Sequence, residues 1–190
     1  MQKSKRSARL TQLELDLVNF KSMIGRAFGG SRLKGSPKTK RPFSRKHLMH
    51  LILKSSHAKG RHSFLHKQNR KQVDQAVRSL AKRFGIELKD YVNVGNHLHI
   101  LIKAAHRSQM INFLRALSGI IPRKILNCEK GEPLNFKFWD GRPFTKIISE
   151  GLRPFRYIKS YFDKNRRQAQ SRRKYLVFTQ CRVDGFDVYD

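Results

Sequence analysis

The residues best placed to do chemistry are two histidines in the run Asn96-His97-Leu98-His99-Ile100-Leu101-Ile102. Alternate residues of a β-strand point to the same side. Read as a strand, the run puts His97, His99 and Leu101 on one face and Leu98, Ile100 and Ile102 on the other. Two imidazoles at i and i+2 on a stiff apolar strand make a ready pair of ligands for a divalent metal. The same pair is equally compatible with two histidines satisfied by a carboxylate or water, so the motif needs a third ligand and a nucleophile.

A downstream helix offers both. Over residues 154–169 the helical repeat clusters Phe155, Ile158 and Phe162 into an apolar stripe. At ~100° per residue, Asn165 falls ~40° from the centre of that stripe, Tyr161 ~80° on the same flank and Tyr157 ~120°. Tyr161 and Asn165 are i and i+4, hence surface neighbours. A phenol and an amide can then face a cation held by the strand. Each tyrosine can also be a core-edge residue or a stacking platform for bases.

These elements sit in an ordered series. Residues 47–54 read as a first strand. Val73, Ala76, Val77, Leu80, Ala81 and Phe84 mark an amphipathic helix that Gly85 ends. Residues 86–94 make a second strand, Gly95-Asn96 a tight turn, and the histidine strand follows to about 103. Met110, Phe113, Leu114, Leu117 and Ile121 stripe a second helix, with Ser108 as its cap and Pro122 a kink or restart. Residues 144–148 form a fourth strand, and the Tyr175–Phe178 run is a candidate fifth. The order β-α-β-β-α-β followed by a helix predicts an α+β, ferredoxin-like split βαβ fold: a central antiparallel sheet with a C-terminal helix that carries the candidate nucleophile. Three regions follow: a basic, partly flexible arm (1–45), the folded domain (46–170) and a C-terminal tail (171–190).

Composition names the partner class. The 190-residue chain carries 42 Lys+Arg against 13 Asp+Glu, a formal net charge of +29. Such an excess fits a polyanion. No apolar run approaches the ~20 residues of a membrane span, and no apolar region of a signal peptide follows the basic N-terminus. Cys128 and Cys181 lack the spacing of a zinc site. The expectation is a cytoplasmic, nucleoid-associated protein bound to nucleic acid and not to a membrane. Arg41, Arg45, Lys59, Arg61, Lys67, Arg70 and Lys71 are the candidate phosphate contacts, Lys164 a cation near Tyr161, and Trp139 (beside Phe138) a candidate base-stacking residue. Of the remaining histidines, His50 stands out because its strand can neighbour the histidine strand.

Gly-Asn-His-Leu-His-Ile-Leu-Ile at 95–102, then Phe138-Trp139 and Tyr161-x-x-x-Asn165, resembles the HUH single-tyrosine (Y1) transposases, which include insertion-sequence enzymes and REP-associated relatives. The resemblance spans roughly residues 45–168. It implies that His97, His99 and Asn165 hold Mg²⁺ or Mn²⁺. It further implies that Tyr161 cleaves single-stranded, hairpin-containing DNA through a 5′-phosphotyrosine that a second 3′-hydroxyl resolves. No other cofactor is implied, and some such enzymes act as homodimers. Two positions depart from the family pattern: Val94-Gly95 replaces Met-Pro before Asn-His, and Arg166 replaces Pro after Asn165. Tyr157 and Tyr161 also have the spacing of two-tyrosine HUH replication initiators. A non-catalytic DNA or RNA hairpin-binding protein on the same fold is the reading from another class.

Overall fold

The computed structural model describes residues 27–29, 40–129, 132–134 and 136–183. Its elements are β1 (Ala27–Phe28), β2 (Met49–Lys54), a short 3₁₀ turn (Gly60–His62), α1 (Lys67–Arg83), β3 (Ile86–Asn93), β4 (His97–Ala104), α2 (Arg107–Leu126), β5 (Phe144–Ile147) and α3 (Leu152–Val183). The strands form one sheet in the order β1-β5-β2-β4-β3, and every neighbouring pair is antiparallel. Without the two-residue edge strand, this is the interleaved order that a split βαβ repeat produces.

The alternation of each strand sorts the core into two layers. Met49, Leu51 and Leu53 of β2 join Leu98, Ile100 and Ile102 of β4 on one face, all essentially inaccessible to solvent. There they pack against the stripes of α1 (Val73, Ala76, Val77, Leu80, Ala81) and α2 (Met110, Phe113, Leu114, Leu117, Ile121). The other face carries His50, His97, His99 and Leu101, and α3 covers it with Ile158, Phe162 and Ala169. A register shift between Leu88 and Asp90 lets β3 continue pairing with β4 as far as Val92 opposite His99 and Asn93 opposite Leu98.

Several sequence expectations change. Helix α3 runs through Tyr175–Phe178, so that segment of the tail is helical and not a fifth strand. Phe155 is half exposed; the buried stripe of α3 is Ile158, Phe162, Asn165 and Ala169, one turn further along. Helix α2 starts at Arg107, so Ser108 lies inside its first turn, where the Gln109 side chain accepts from the His106 N–H at 2.9 Å. Pro122 is buried within α2 and does not end it. Part of the N-terminal arm is built into the sheet: β1 pairs with β5, and Phe28 is buried. Gly29 follows at φ +92°, where a Cβ would lie 2.4 Å from the Pro143 carbonyl oxygen. The helix considered over Leu10–Phe20 lies outside the described residues.

The loop from Ser56 to His66 has a structural duty. It clamps the turn that launches the histidine strand: Phe64 N–H donates to Gly95 O at 2.7 Å, and Asn93 Nδ2 donates to Phe64 O at 2.8 Å. Asn69, buried on α1, holds the loop from below through Arg61 O and Ser63 O. Gly95 occupies the left-handed region at φ +101°, with Ser63 Oγ and Leu65 packed where a side chain would project.

Candidate active site

His99 is 1% exposed and His50 is fully buried. Their strands are adjacent, and His50 Nε2 lies 3.1 Å from His99 Nδ1 with the rings stacked. His97 stands edge-on to His99 at 4.7 Å between centroids. Its Nδ1 is 2.7 Å from Asn96 Oδ1, and the same oxygen accepts from Arg172 Nη1 at 3.0 Å. Arg172 also donates to Val94 O, so α3 grips both sides of the turn before the histidine strand.

Helix α3 brings the phenol to these rings within one chain. The Tyr161 ring lies 5.2 Å from that of His99 and 5.8 Å from that of His50, edge-on in both cases. Phe162 closes the other side of the same two imidazoles. Asn165, one turn on, is buried, and its Nδ2 donates to the Tyr161 carbonyl oxygen at 2.7 Å. That bond uses one of the two amide hydrogens and holds the Asn165 side chain beside Tyr161.

Burial sets the charge state. It depresses His99 to about 2, helped by His50 and His97, with Asn165 opposing. Burial lowers His50 to about 3, with Lys146 adding to the effect, and His97 to about 4, with Arg172 and Lys54 adding to it. All three imidazoles are therefore neutral at neutral pH, with lone pairs not blocked by protons. Burial raises the Tyr161 phenol above its ordinary value, and the Asn165 hydrogen bond pulls it back. The phenol is thus protonated at neutral pH.

The free atoms suit a divalent cation. His99 Nε2 is buried without a hydrogen-bond partner of normal geometry, a costly state that a ligated ion relieves. With Nδ1 of His97 and of His99 each engaged, the two Nε2 atoms are the available donors. Among the described residues no three His, Cys, Asp or Glu side chains converge as a metal group. An ion here would rest on two imidazoles with the Asn165 amide as the third donor, a mixed nitrogen and oxygen set unlike the Cys/His sets of structural zinc.

The sequence that carries these residues is matched by a family model. The model for transposases described as IS200-like aligns with residues 44–165, well over half of the chain. The chain belongs to the IS200-like transposase family. The aligned region ends on Asn165, so it includes every element of the histidine–tyrosine cluster except Arg172. Among solved structures, a "putative transposase" from Deinococcus radiodurans R1 is 20% identical, with a TM-score of 0.39, covering 68% of this chain and 98% of that one. No curated protein sequence matches.

The predicted DNA-contact residues divide. Arg45, Lys59, Arg61, Lys67, Lys71 and Lys164 are exposed, and Arg70 is partly so. Lys59 and Arg172 line a cleft of about 540 Å³ beside Asn96, and Arg70 lines a second of about 280 Å³ with Arg78, Arg166 and Arg173. Arg41 belongs to the fold. Its Nη1 donates to Pro143 O at 2.6 Å and to Thr145 Oγ1, and its guanidinium covers the Phe28 ring. Burial and Arg142 lower it to about 10. Trp139 is likewise an internal anchor: its Nε1 donates to Ser118 O at 2.9 Å and its ring packs on Phe64 and Phe138. No described helix is long and apolar enough to cross a membrane.

Sequence reasoning missed Arg172 and Lys146. Arg172 lies seven residues past Asn165, in what reads locally as a basic tail, and only the unbroken helix returns it to the turn. Lys146 pairs across the sheet with His50 and is 2% exposed. In the sequence it is an ordinary strand residue.

Proposed function

We propose that this IS200-like transposase cleaves and rejoins single-stranded DNA through a covalent tyrosine intermediate, with Tyr161 as the nucleophile. The observation that carries the proposal is the placement of the Tyr161 ring against His99 and His50, with Asn165 one turn away, all within a single chain. His97, His99 and Asn165 would hold Mg²⁺ or Mn²⁺, which when bound offsets charge developing on the scissile phosphate.

The Tyr161 oxygen forms a bond to phosphorus while the bond from phosphorus to the 3′-oxygen breaks. The 5′-phosphate remains on the tyrosine, and the 3′-oxygen leaves as a hydroxyl carrying the equivalent of the phenol proton. Attack by another 3′-hydroxyl reverses the sequence and regenerates the phenol. The phosphodiester linkage is conserved throughout, so no nucleotide cofactor is needed. Phe162 and Ile158 hold the helix on the sheet and keep bulk water from the inner side of the ring. Lys59, Arg61, Lys67, Arg70 and Lys71 would hold the strand by its phosphates, independently of base sequence.

The test is a covalent adduct with hairpin-containing single-stranded DNA and Mg²⁺ or Mn²⁺, resolved on a denaturing gel. Wild type is expected to form it, Tyr161→Phe to lose it, and Tyr157→Phe to keep most of it. Binding with no adduct from any form would instead support a non-catalytic hairpin-binding protein. Loss in Tyr157→Phe alone would transfer the nucleophile's role to Tyr157.

A further inference from the structure

We propose that His50 is a positioning residue that selects the metal-binding tautomer of His99, an inference that rests on the metal-dependent reading above. The His50 Nε2 to His99 Nδ1 distance of 3.1 Å requires one proton between these nitrogens. Two neutral arrangements satisfy it. If His50 supplies the proton, His99 carries its own on Nε2 and has no lone pair there to offer. If His99 supplies it, Nε2 of His99 is free to ligate and His50 keeps its proton on Nδ1.

The hydrogen bond between the two rings does not by itself choose between the arrangements. His50 Nδ1 and His99 Nε2 are both buried without a hydrogen-bond partner of normal geometry. Each tautomer therefore leaves one buried N–H unpaired: at His99 Nε2 in the first, at His50 Nδ1 in the second. A cation at His99 Nε2 removes the balance, because ligation is possible only in the second. His50 is then the acceptor that fixes the ring's rotation and its proton, the part that a carboxylate or backbone carbonyl plays behind many metal-bound histidines. A neutral imidazole does this without adding charge. Other groups on this face fit such a role less well. The Asn165 amide is already bonded to Tyr161 and is the proposed third donor to the ion, and Lys146 as a cation offers no lone pair.

The test measures Mn²⁺ binding to the apo protein by calorimetry, without DNA, for wild type, His50→Gln and His50→Phe. Glutamine keeps an acceptor oxygen; phenylalanine fills the space and has none. His50→Phe is expected to weaken Mn²⁺ binding by about 10–100-fold, the usual loss when such a supporting partner is removed. His50→Gln is expected to recover most of it. Wild-type affinity in His50→Phe, or equal losses in both variants, would overturn the proposal. Should His50→Phe not fold, ¹⁵N spectra of the wild-type imidazoles with Mg²⁺ decide the matter. A proton on Nδ1 of His99 supports the assignment, and one on Nε2 refutes it. Wild type that binds no Mn²⁺ overturns the metal-dependent reading, and this inference with it. Wild type that binds while His50→Phe binds equally well overturns only the role of His50.

Discussion

Acid should weaken this protein steeply before its carboxylates titrate, because two buried imidazoles stay neutral in the fold. His50 and His99 are held near 3 and 2, mainly by burial, whereas an unfolded histidine titrates near 6.5. Between pH 6.5 and about 3 the unfolded chain therefore binds more protons than the folded one, so stability falls as pH falls. For one such imidazole, unfolding is favoured by roughly 2 kcal/mol at pH 5 and by almost nothing at pH 7. Two of them make about 4 kcal/mol, a large share of the roughly 5–15 kcal/mol that holds a typical domain together. His97, held near 4 and partly open to solvent, adds a further loss of the same sign. The assay is urea denaturation at pH 7 and pH 5 with divalent ions chelated, in wild type and in His50→Gln, which removes one of the two titrating rings. His50 and His99 together should cost wild type about 4 kcal/mol, and the variant should lose about 2 kcal/mol less than wild type. Saturating Mn²⁺ should restore part of the loss by binding only the folded state. Stability that is flat between the two pH values would refute the buried-neutral assignment. An unchanged pH dependence in His50→Gln would remove His50 from it.

Gly95→Ala should lower stability by about 1–3 kcal/mol through its strained left-handed φ, and should depress adduct formation further because the turn aims His97; thermal melts and the gel assay report both. Arg172→Gln should leave the melting temperature nearly unchanged yet slow adduct formation, since it frees Asn96 and the His97 ring; single-turnover cleavage rates measure this. Arg61→Gln should reduce the salt dependence of single-strand binding by about 0.7 in the log–log slope. Arg41→Gln should instead destabilise the fold by about 1–3 kcal/mol with that slope intact, because its guanidinium is bonded to Pro143 and Thr145; salt titrations alongside urea melts separate the two.

Local pattern alone determined a good deal. The two-residue period placed His97 and His99 on one face, and the 3.6-residue period found the inward stripes of α1 and α2, because burial of alternating or striped apolar residues is a local property of the chain. The order of elements pointed to the split βαβ sheet, and helical geometry put Tyr161 and Asn165 on one flank. Composition announced a polyanionic partner. The same reasoning began the stripe of α3 one turn early, at Phe155, and made a strand of Tyr175–Phe178. A short apolar run does not reveal its period, and the helix continued where its neighbours allowed. It offered Arg41 and Trp139 to DNA without seeing that each bonds a main-chain carbonyl of its own chain, because an arginine or an indole looks the same in sequence whichever partner it meets. Only the tertiary structure decided the rest. Pairing of β2 with β4 set His50 against His99, the fold of α3 over the sheet carried Tyr161 to the imidazoles of its own chain, and its uninterrupted length returned Arg172 to Asn96. These contacts join residues tens of positions apart, and what sets them is strand order and packing, which no local periodicity encodes.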